Sequence, residues 1–244
     1  MKIRVYTVCK NERAMMPFFL RHYLTFADSI VVYDAGSTDG TLDLLLPQPS
    51  VEVRPCPYAG LDDVASLKLS MTAYRESEGQ FDWVMWVDCD EFIWADSVPR
   101  VLETLTTFDV AMPAGFNMIC EGLPEDDGKS QIWQLCPMGV RAPVYGKPVV
   151  FRPNVEMRWN LGRHAIEHVT PKLTPAYVLR LLHYRYLGYN YTRARNLRNY
   201  EAVGPDKGAA WTCNPDWNGE HSARWAEEML KHRFNVLEFC LRDF

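Results

Sequence analysis

The sequence lacks the features that mark several specialised classes of protein. No stretch approaches the roughly 18 apolar residues of a membrane-spanning helix, and its first residues carry no apolar block like that of a secretory signal. Basic residues are not in excess, because 26 Lys and Arg face 31 Asp and Glu, giving a net charge of −5. This balance argues against a general nucleic-acid binder and predicts no nucleic-acid partner.

Cysteine never occurs as a Cys-x-x-Cys pair. The seven cysteines are odd in number and scattered at Cys9, Cys56, Cys89, Cys120, Cys136, Cys213 and Cys240. Such a pattern is typical of reduced thiols rather than of a disulfide framework or a zinc site. The sequence therefore predicts a cytoplasmic protein, and it leaves open a position at the inner face of the membrane.

What the chain does contain is enough apolar material for a large core. Of its 244 residues, 48% are hydrophobic and 13% are aromatic, which excludes a disordered chain. This length fits one large domain or two small ones. No Ser/Gly linker, repeat or low-complexity tract divides it, and one continuous domain is the simplest interpretation.

The first half alternates strand-like and helix-like segments. Strands are predicted at 3–9, 29–33, 51–54 and 82–87, and helices at 12–27, from 41 and at 61–77. This order predicts an α/β fold with a Rossmann-type, mostly parallel sheet flanked by helices.

The second half follows a different pattern. It predicts strands at 109–114, 131–135, 144–152 and 177–184, a mobile loop at 120–130, and helices at 189–203 and 220–241. We expect one domain over 1–190, with a C-terminal helical extension over 191–244 packed on it.

Polar residues cluster where three predicted strands end, the edge at which α/β sheets bind ligands. The clusters are Asn11-Glu12, the Gly-rich turn from Asp34 through Ser37 to Asp39, and Asp88-Cys89-Asp90-Glu91. In the second cluster, Asp34 can accept hydrogen bonds from a base or ribose, and an ordinary capped turn is the alternative.

The third cluster predicts a metal site. Asp88 and Asp90 are alternate residues after a buried strand, so they can address one ion while Cys89 packs inward. Buried carboxylates need a positive partner, and oxygen ligands suit Mg²⁺ or Mn²⁺. A solvated acidic turn is the alternative, and the Trp-rich strand before the motif argues against it.

Five motifs in order resemble the GT-A glycosyltransferases of family 2, and within them the family 2-like branch whose eukaryotic relatives were formerly called DUF23. They are Cys9-Lys10-Asn11-Glu12, Asp88-Cys89-Asp90-Glu91-Phe92, the segment from Lys147 to Arg152-Pro153, Gly162-Arg163-His164 and His183-Tyr184. The match spans about residues 3–190. The chain departs from the family at Asp34-Ala35, where many members have two aspartates.

The resemblance implies a metal-dependent enzyme that transfers a sugar, with inversion, from a UDP- or GDP-linked donor to a glycan or lipid-linked glycan, as in polysaccharide biosynthesis. Carried over, Asn11, Glu12 and Asp34 lie near the base and ribose, with Ser37 and Asp39 in the same turn. Asp88 approaches the ribose or the sugar, and Asp88 and Asp90 both approach the metal. His164 is the third ligand or a diphosphate contact, with His183 as the second choice, and Lys147 and Arg152 assist.

The catalytic base is not singled out by the sequence. Glu91, beside the metal motif, and Glu121, in the predicted loop, are the preferred choices. A nucleotidyltransferase and a catalytically inactive binding relative remain alternatives. Trp94 is the best sugar platform among the tryptophans, and the basic, Tyr-rich stretch 184–198 could meet an anionic acceptor or a membrane surface, with an exposed helix face as the alternative.

Overall fold

The structure is a computed structural model that describes residues 1–58, 60–203, 229 and 231–238. The strands are β1 (Ile3–Cys9), β2 (Ser29–Asp34), β3 (Val51–Pro55), β4 (Trp83–Trp86), β5 (Glu91–Trp94), β6 (Pro113–Cys120), β7 (Met138–Arg141), β8 (Val150–Phe151), β9 (Leu179–Leu187) and β10 (Phe234–Asn235). The α-helices are α1 (Met16–Tyr23), α2 (Thr41–Leu45), α3 (Asp63–Ala73), α4 (Val98–Thr104), α5 (Ile132–Leu135) and α6 (Tyr189–Val203). Short 3-10 helices lie at Tyr74–Ser77, Pro143–Tyr145 and Leu161–Arg163.

The first sheet has the strand order β3-β2-β1-β4-β8. Its first four strands are parallel, and β8 is antiparallel to β4. Every residue of β4 is buried, which fits its run of apolar residues in a sheet covered on both faces. The predicted α/β fold with a mostly parallel sheet flanked by helices is confirmed.

A second, mixed sheet was not predicted. Its order is β10-β7-β6-β9-β5, with β6 parallel to β9 and the other neighbours antiparallel. The chain leaves the first sheet at Trp86 and enters the second at Glu91. The motif Asp88-Cys89-Asp90 is therefore the short bridge between the two sheets.

Several local predictions in the second half are wrong. Residues 131–135 form no strand, because Ile132–Leu135 is a helix that begins at Gln131. Residues 144–152 are divided between the 3-10 helix at Pro143–Tyr145 and the two-residue strand β8. The strand predicted at 109–114 begins instead at Pro113 and continues to Cys120. Short segments of this kind follow tertiary packing rather than intrinsic propensity.

The end of the chain is described only in part. The helix predicted at 189–203 is confirmed as α6. Most of the helix predicted at 220–241 lies outside the described residues, but 231–238 contains turns and the strand β10, so the prediction is wrong there. Within the described ranges, no helix combines the length and apolarity needed to cross a membrane.

The prediction that every cysteine is a free thiol is also wrong. Cys120 and Cys136 form a disulfide that joins the end of β6 to the residue after α5, with their Cα atoms 5.8 Å apart. Cys9, Cys56 and Cys89 are free. Cys213 and Cys240 lie outside the described residues. Sixteen positions separate the bridged pair, so sequence spacing alone gave no sign of the pairing.

Candidate functional site

Three polar loops meet at one edge of the first sheet. β1 lies between β2 and β4 and is parallel to both, so their carboxyl ends share that edge. The loops that follow carry Asn11-Glu12, Asp34 to Asp39, and Asp88 to Asp90. The topology therefore brings the three predicted clusters together, as parallel strands require.

A pocket of about 220 Å³ opens at this edge, and we call it the strand-end pocket. Six residues singled out from the sequence line it, namely Glu12, Asp88, Asp90, Lys147, His164 and His183. Its remaining wall comes from the segment before α3, the 3-10 helix at Leu161–Arg163, and α6. The pocket is thus built from both halves of the chain.

The turn after β2 binds the loop after β1 instead of lining the pocket. The Asp34 carboxylate accepts the backbone N–H groups of Gly36 and Ser37, each at 3.1 Å. Ser37 Oγ in turn accepts the N–H of Asn11 at 2.9 Å, and Asn11 Oδ1 accepts the N–H of Thr38 at 2.7 Å.

Asp39 adds a further link between these two loops. Its Oδ2 accepts the N–H of Arg13 at 3.0 Å, and its Oδ1 accepts the Thr41 hydroxyl at 2.5 Å. Asn11, Asp34, Ser37 and Asp39, all expected at the nucleotide, therefore lie outside the strand-end pocket and hold two of its supporting loops together.

The two aspartates of the bridge have different surroundings. The Asp88 side chain is 44% exposed at the pocket wall, where it pairs with Arg163 and lies 3.6 Å from Lys147 Nζ. Asp90 is buried, and its Oδ2 accepts from Arg195 at 2.6 Å. Cys89 between them is buried, as predicted, but residues 89–90 form a turn in which the Glu91 N–H donates to the Asp88 carbonyl at 2.9 Å, and not the extended segment that was expected.

These ion pairs explain the acidity of both aspartates. Burial alone would raise the pKa of each carboxyl, but the neighbouring positive charges have the larger combined effect and lower it. Arg195 and His183 hold the pKa of Asp90 well below its usual range. Arg163 and Lys147 lower the pKa of Asp88 in the same way. Both carboxyls are thus kept ionised at the pocket.

Glu91, a preferred choice for the base, is held inside the protein and does not line the strand-end pocket. It is fully buried, and Lys147 Nζ lies 2.5 Å from its Oε1. Its Oε2 accepts the backbone N–H of Asp88 at 3.1 Å. Both oxygens are therefore engaged within the protein, and Glu91 fixes the positions of Asp88 and Lys147 instead of meeting solvent.

Arg195 of α6 is a site residue whose role the sequence did not reveal. Its guanidinium contacts Asp90 and, at 3.4 Å, Glu12 Oε1. Burial raises the pKa of Glu12 against the opposing effect of Arg195. The stretch that carries Arg195 was expected to present an exposed helix face or an anion-binding surface.

A signal for this role was present in the sequence. Thr192, Arg195, Asn196 and Asn199 follow the i, i+3, i+4, i+7 spacing of one helix face. The structure buries Thr192 and Asn196, and Arg195, Asn196 and Asn199 line the pocket. A polar stripe of this kind on a helix can indicate a site as well as a solvated surface.

The two histidines are fixed differently. His164 Nδ1 donates to the Val144 carbonyl at 2.7 Å, because a carbonyl can only accept, and Nε2 is left as the basic nitrogen. Burial, with Lys147, lowers the pKa of His164. His183 Nε2 lies 3.3 Å from Asp90 Oδ2, and its Nδ1 lies 3.2 Å from Asn117 Oδ1.

The strand-end pocket offers donor atoms for a hard divalent cation. Carboxylates of Asp88 and Asp90 and imidazoles of His164 and His183 all line it, and such oxygen and nitrogen donors suit Mn²⁺ or Mg²⁺. Across the described ranges, no three His, Cys, Asp or Glu side chains are grouped closely enough to hold an ion alone. Mg²⁺ is usually held by one or two carboxylates plus substrate phosphates. An ion that binds here together with a diphosphate would share Asp88 with Arg163 and Lys147, and Asp90 with Arg195.

Two predicted residues lie elsewhere in the molecule. Arg152 stacks 4.3 Å from the Trp83 ring and donates to the Leu105 carbonyl at 2.9 Å, at the amino end of β4. The Glu121 side chain is 85% exposed, follows β6, and has Arg233 at 4.0 Å. Neither residue lines the strand-end pocket in the structure, and their roles at a diphosphate and as the base stay predictions.

Comparison with known proteins identifies similar folds but no family. No model of a known protein family and no curated protein sequence matches the chain. Solved structures with similar folds include residues 1–349 of TarS from S. aureus (13% identity, TM-score 0.43, 87% of this chain and 68% of that one). Mannosyl-3-phosphoglycerate synthase from Rubrobacter xylanophilus is another, with 18% identity, a TM-score of 0.34, and coverage of 55% of this chain and 44% of that one.

A third is glucosyl-3-phosphoglycerate synthase from Mycobacterium tuberculosis, solved with Mn²⁺, UDP-glucose and phosphoglyceric acid (20% identity, TM-score 0.31, 48% of this chain and 44% of that one). This chain spans less than half the length of either synthase. With scores and identities this low, the function has to be inferred from the chain's own site.

Proposed function

We propose that this protein is a glycosyltransferase that moves a sugar from a nucleotide-sugar donor to a hydroxyl group of a glycan or lipid-linked glycan, with inversion at the anomeric carbon. The observation that carries the proposal is the strand-end pocket. Ionised Asp88 and Asp90 and the cations Lys147, Arg163 and Arg195 line one cavity at the carboxyl ends of parallel strands. That mixture suits a ligand that is anionic at one end and rich in hydroxyls at the other.

The donor diphosphate has two sources of positive charge in this proposal. Asp88 and Asp90 would hold Mn²⁺ or Mg²⁺ together with the diphosphate, and the ion supplies Lewis-acid stabilisation of the leaving group. Lys147 and Arg163 lie against Asp88, so their charges act at the same wall of the pocket. Fixed charges of this kind stabilise the charge that develops on the leaving diphosphate.

The proton of the acceptor hydroxyl needs a basic group in the pocket, and His164 meets the requirements. It lines the pocket, its Nδ1 is bound to the Val144 carbonyl, and its lowered pKa keeps the ring neutral. A neutral imidazole of fixed tautomer can take up a proton at Nε2. We assign this role to His164. The other imidazole of the pocket, that of His183, lies next to Asp90.

Product analysis tests the proposed function directly. The protein is incubated with UDP- and GDP-sugars and Mn²⁺, with and without neutral oligosaccharide acceptors. We expect nucleoside diphosphate as a product. A nucleotidyltransferase would instead release pyrophosphate in a parallel incubation with a nucleoside triphosphate and a sugar 1-phosphate, and binding without turnover in either assay would identify an inactive relative.

Paired aspartate variants provide the control for this assay. Asp88→Asn removes a charge at the pocket, and we expect turnover to fall by about 10²–10³-fold, as when one group of an electrostatic site is lost. Asp43→Asn changes a side chain in α2 that is 81% exposed and outside the pocket, and it should leave turnover unchanged. Equal activity of the two variants would refute the assignment of Asp88.

A further inference from the structure

A second cavity lies away from the strand-end pocket. It has a volume of about 510 Å³ and is bounded by His22 of α1 with Thr25 and Phe26 after that helix, by residues 94–99 from the end of β5 to the start of α4, and by Gln131 and Trp133 at α5. We call it the tryptophan groove. The two cavities have no lining residue in common among the described residues.

The register of β5 and β9 gives the separation between the cavities. Glu91, next to Asp90, pairs with His183, and Trp94 pairs with Arg180. Three residues of strand therefore separate the Glu91–His183 pair from the Trp94–Arg180 pair, a distance of about 10 Å along the strand. Because successive side chains of a strand point to opposite faces, Glu91 and Trp94 face opposite sides of the second sheet, and the groove is a different site from the strand-end pocket.

Aromatic rings form the walls of the groove and are held in place from behind. Phe26, Trp94 and Trp133 are half-buried. The Arg180 guanidinium lies 4.8 Å from the centre of the Trp94 ring, and the His22 ring meets Trp133 edge-on at 4.9 Å. Rigid, partly exposed indole rings offer flat apolar surfaces at little entropic cost.

The groove also contains an unused hydrogen-bond acceptor. Gln131 Oε1 is buried without a partner among the described residues. Its Nε2 donates to the Arg21 carbonyl at 3.2 Å, which fixes the orientation of the amide. The Gln131 side chain also faces the N–H of Gln134 in the capping box that opens α5, but that N–H is hydrogen-bonded to the Gln131 main-chain carbonyl at 3.0 Å. A buried acceptor of this kind requires a donor, such as a hydroxyl.

The side chains that line the groove do not favour an anionic ligand. None of its described lining residues is Lys or Arg. Burial lowers the pKa of His22 to about 3, so this histidine is uncharged. Asp96, which is exposed, is the acidic residue of the lining. A phosphate or nucleotide therefore finds no cation among the lining residues, in contrast with the strand-end pocket, and the nearby Arg180 guanidinium lies against the Trp94 ring.

We propose that the tryptophan groove is a binding site for a neutral carbohydrate chain. The apolar faces of a sugar ring stack on Trp94 and Trp133, and its hydroxyl groups donate to Gln131 Oε1 and to Asp96. The site is separate from the proposed nucleotide-sugar site, and its occupancy can be measured without any catalytic assay.

Titration with neutral oligosaccharides tests this proposal. Maltotetraose, cellotetraose and chitotetraose are titrated into the full chain, with binding measured by calorimetry and tetragalacturonate as the charged control. We expect at least one neutral oligosaccharide to bind and tetragalacturonate not to bind. We expect Trp133→Ala to weaken this binding by about tenfold or more, the loss of one stacking contact.

Two further variants keep the test decisive if Trp133→Ala is unstable. Gln131→Leu removes the acceptor at similar volume and should weaken binding, while Tyr189→Ala removes a 47% exposed aromatic ring outside the groove and should not. Asp88→Asn should also bind normally. Failure of all three neutral oligosaccharides to bind, unchanged binding by Gln131→Leu, or displacement by a nucleoside diphosphate would each overturn the proposal.

Discussion

Asp88 and Asp90 lie two positions apart and do different work. Asp88 faces the cavity between Lys147 and Arg163, whereas Asp90 is buried against Arg195. The difference follows from the bridge between the two sheets. Its turn directs the Asp88 side chain toward the pocket and the Asp90 side chain toward α6. We infer that Asp88 meets the donor and that Asp90 also anchors the helix above it.

His164 allows the first residue-scale prediction. If it accepts the acceptor's proton, His164→Asn should lower kcat by about 10²–10⁴-fold, the usual contribution of a general base, and leave Mn²⁺-dependent nucleotide affinity unchanged. His168→Asn is the matched control, because His168 is exposed with a φ of 60°, a conformation that Asn tolerates. A loss of Mn²⁺-dependent affinity in His164→Asn would show instead that His164 is a metal ligand.

The buried pair of Glu91 and Lys147 supports a prediction about stability. Lys147→Met leaves the Glu91 charge buried and unpaired, and we expect the free energy of unfolding in urea to fall by about 3–5 kcal/mol. Adding Glu91→Gln removes that charge and keeps an acceptor for the Asp88 N–H, so the double variant should regain most of the loss. Equal instability of the single and double variants would contradict this account.

At the scale of elements, α6 joins the second half of the chain to the loops of the first. Arg195 reaches Asp90 after β4 and Glu12 before α1. The helix therefore closes the pocket through buried charges, in addition to apolar contacts such as Tyr191 against the core. The two acids respond to pH in opposite senses, because the pKa of Asp90 is lowered and that of Glu12 is raised.

Acid should reveal the contribution of Asp90. A carboxyl with a lowered folded-state pKa stabilises the fold above its unfolded pKa, near 3.9, and this stability is lost as pH falls below that value. We expect the wild type to lose more stability between pH 6 and pH 3 than Asp90→Asn does, as measured by urea unfolding. Asp43→Asn, changed at an exposed position, should behave like the wild type. Parallel pH profiles for wild type and Asp90→Asn would contradict the prediction.

The contribution of Glu12 has the opposite sign. A carboxyl with a raised folded-state pKa contributes stability that is full below its unfolded pKa, near 4.3, and is lost as pH rises through the folded value. Glu12 therefore does not add to the acid sensitivity expected from Asp90.

The disulfide between Cys120 and Cys136 makes a further element-scale prediction. A bridge that closes a loop of this length stabilises a fold by about 3 kcal/mol, so reducing agent should lower the Tm of the wild type. Cys120→Ser should match the reduced wild type and show no further response to reductant. Cys56→Ser changes a free thiol and serves as the control. An unchanged Tm on reduction would refute the bridge.

Elements with strong periodicity could be predicted from the sequence, and contacts between distant elements could not. β1, β2, β4 and α6 lie close to the positions that their local sequences predict. The second sheet depends on pairing β5 with β9 across about ninety residues, which local patterns do not encode. The same limit applies to the site, because Arg163 and Arg195 reach the aspartates only through tertiary packing.

At the scale of the whole molecule, opposite charges are concentrated at one edge. The net charge of −5 is distributed so that Asp88, Asp90 and Glu12 face Lys147, Arg163 and Arg195 there. The remaining edge of the first sheet, at the amino ends of its strands, is closed by contacts such as Arg152 on Trp83. In our proposal, this is the edge at which an anionic, metal-bound ligand binds.

Thermal stability in the presence of nucleoside diphosphates tests the central claim most directly. UDP and GDP are each added to the wild type and to Asp88→Asn, with and without Mn²⁺. A ligand at 100 times its Kd stabilises the folded state by about 2.7 kcal/mol, so we predict a clear, Mn²⁺-dependent rise in Tm with one base that Asp88→Asn abolishes. No shift with either nucleotide in the wild type would contradict a nucleotide-sugar site at this edge of the sheet.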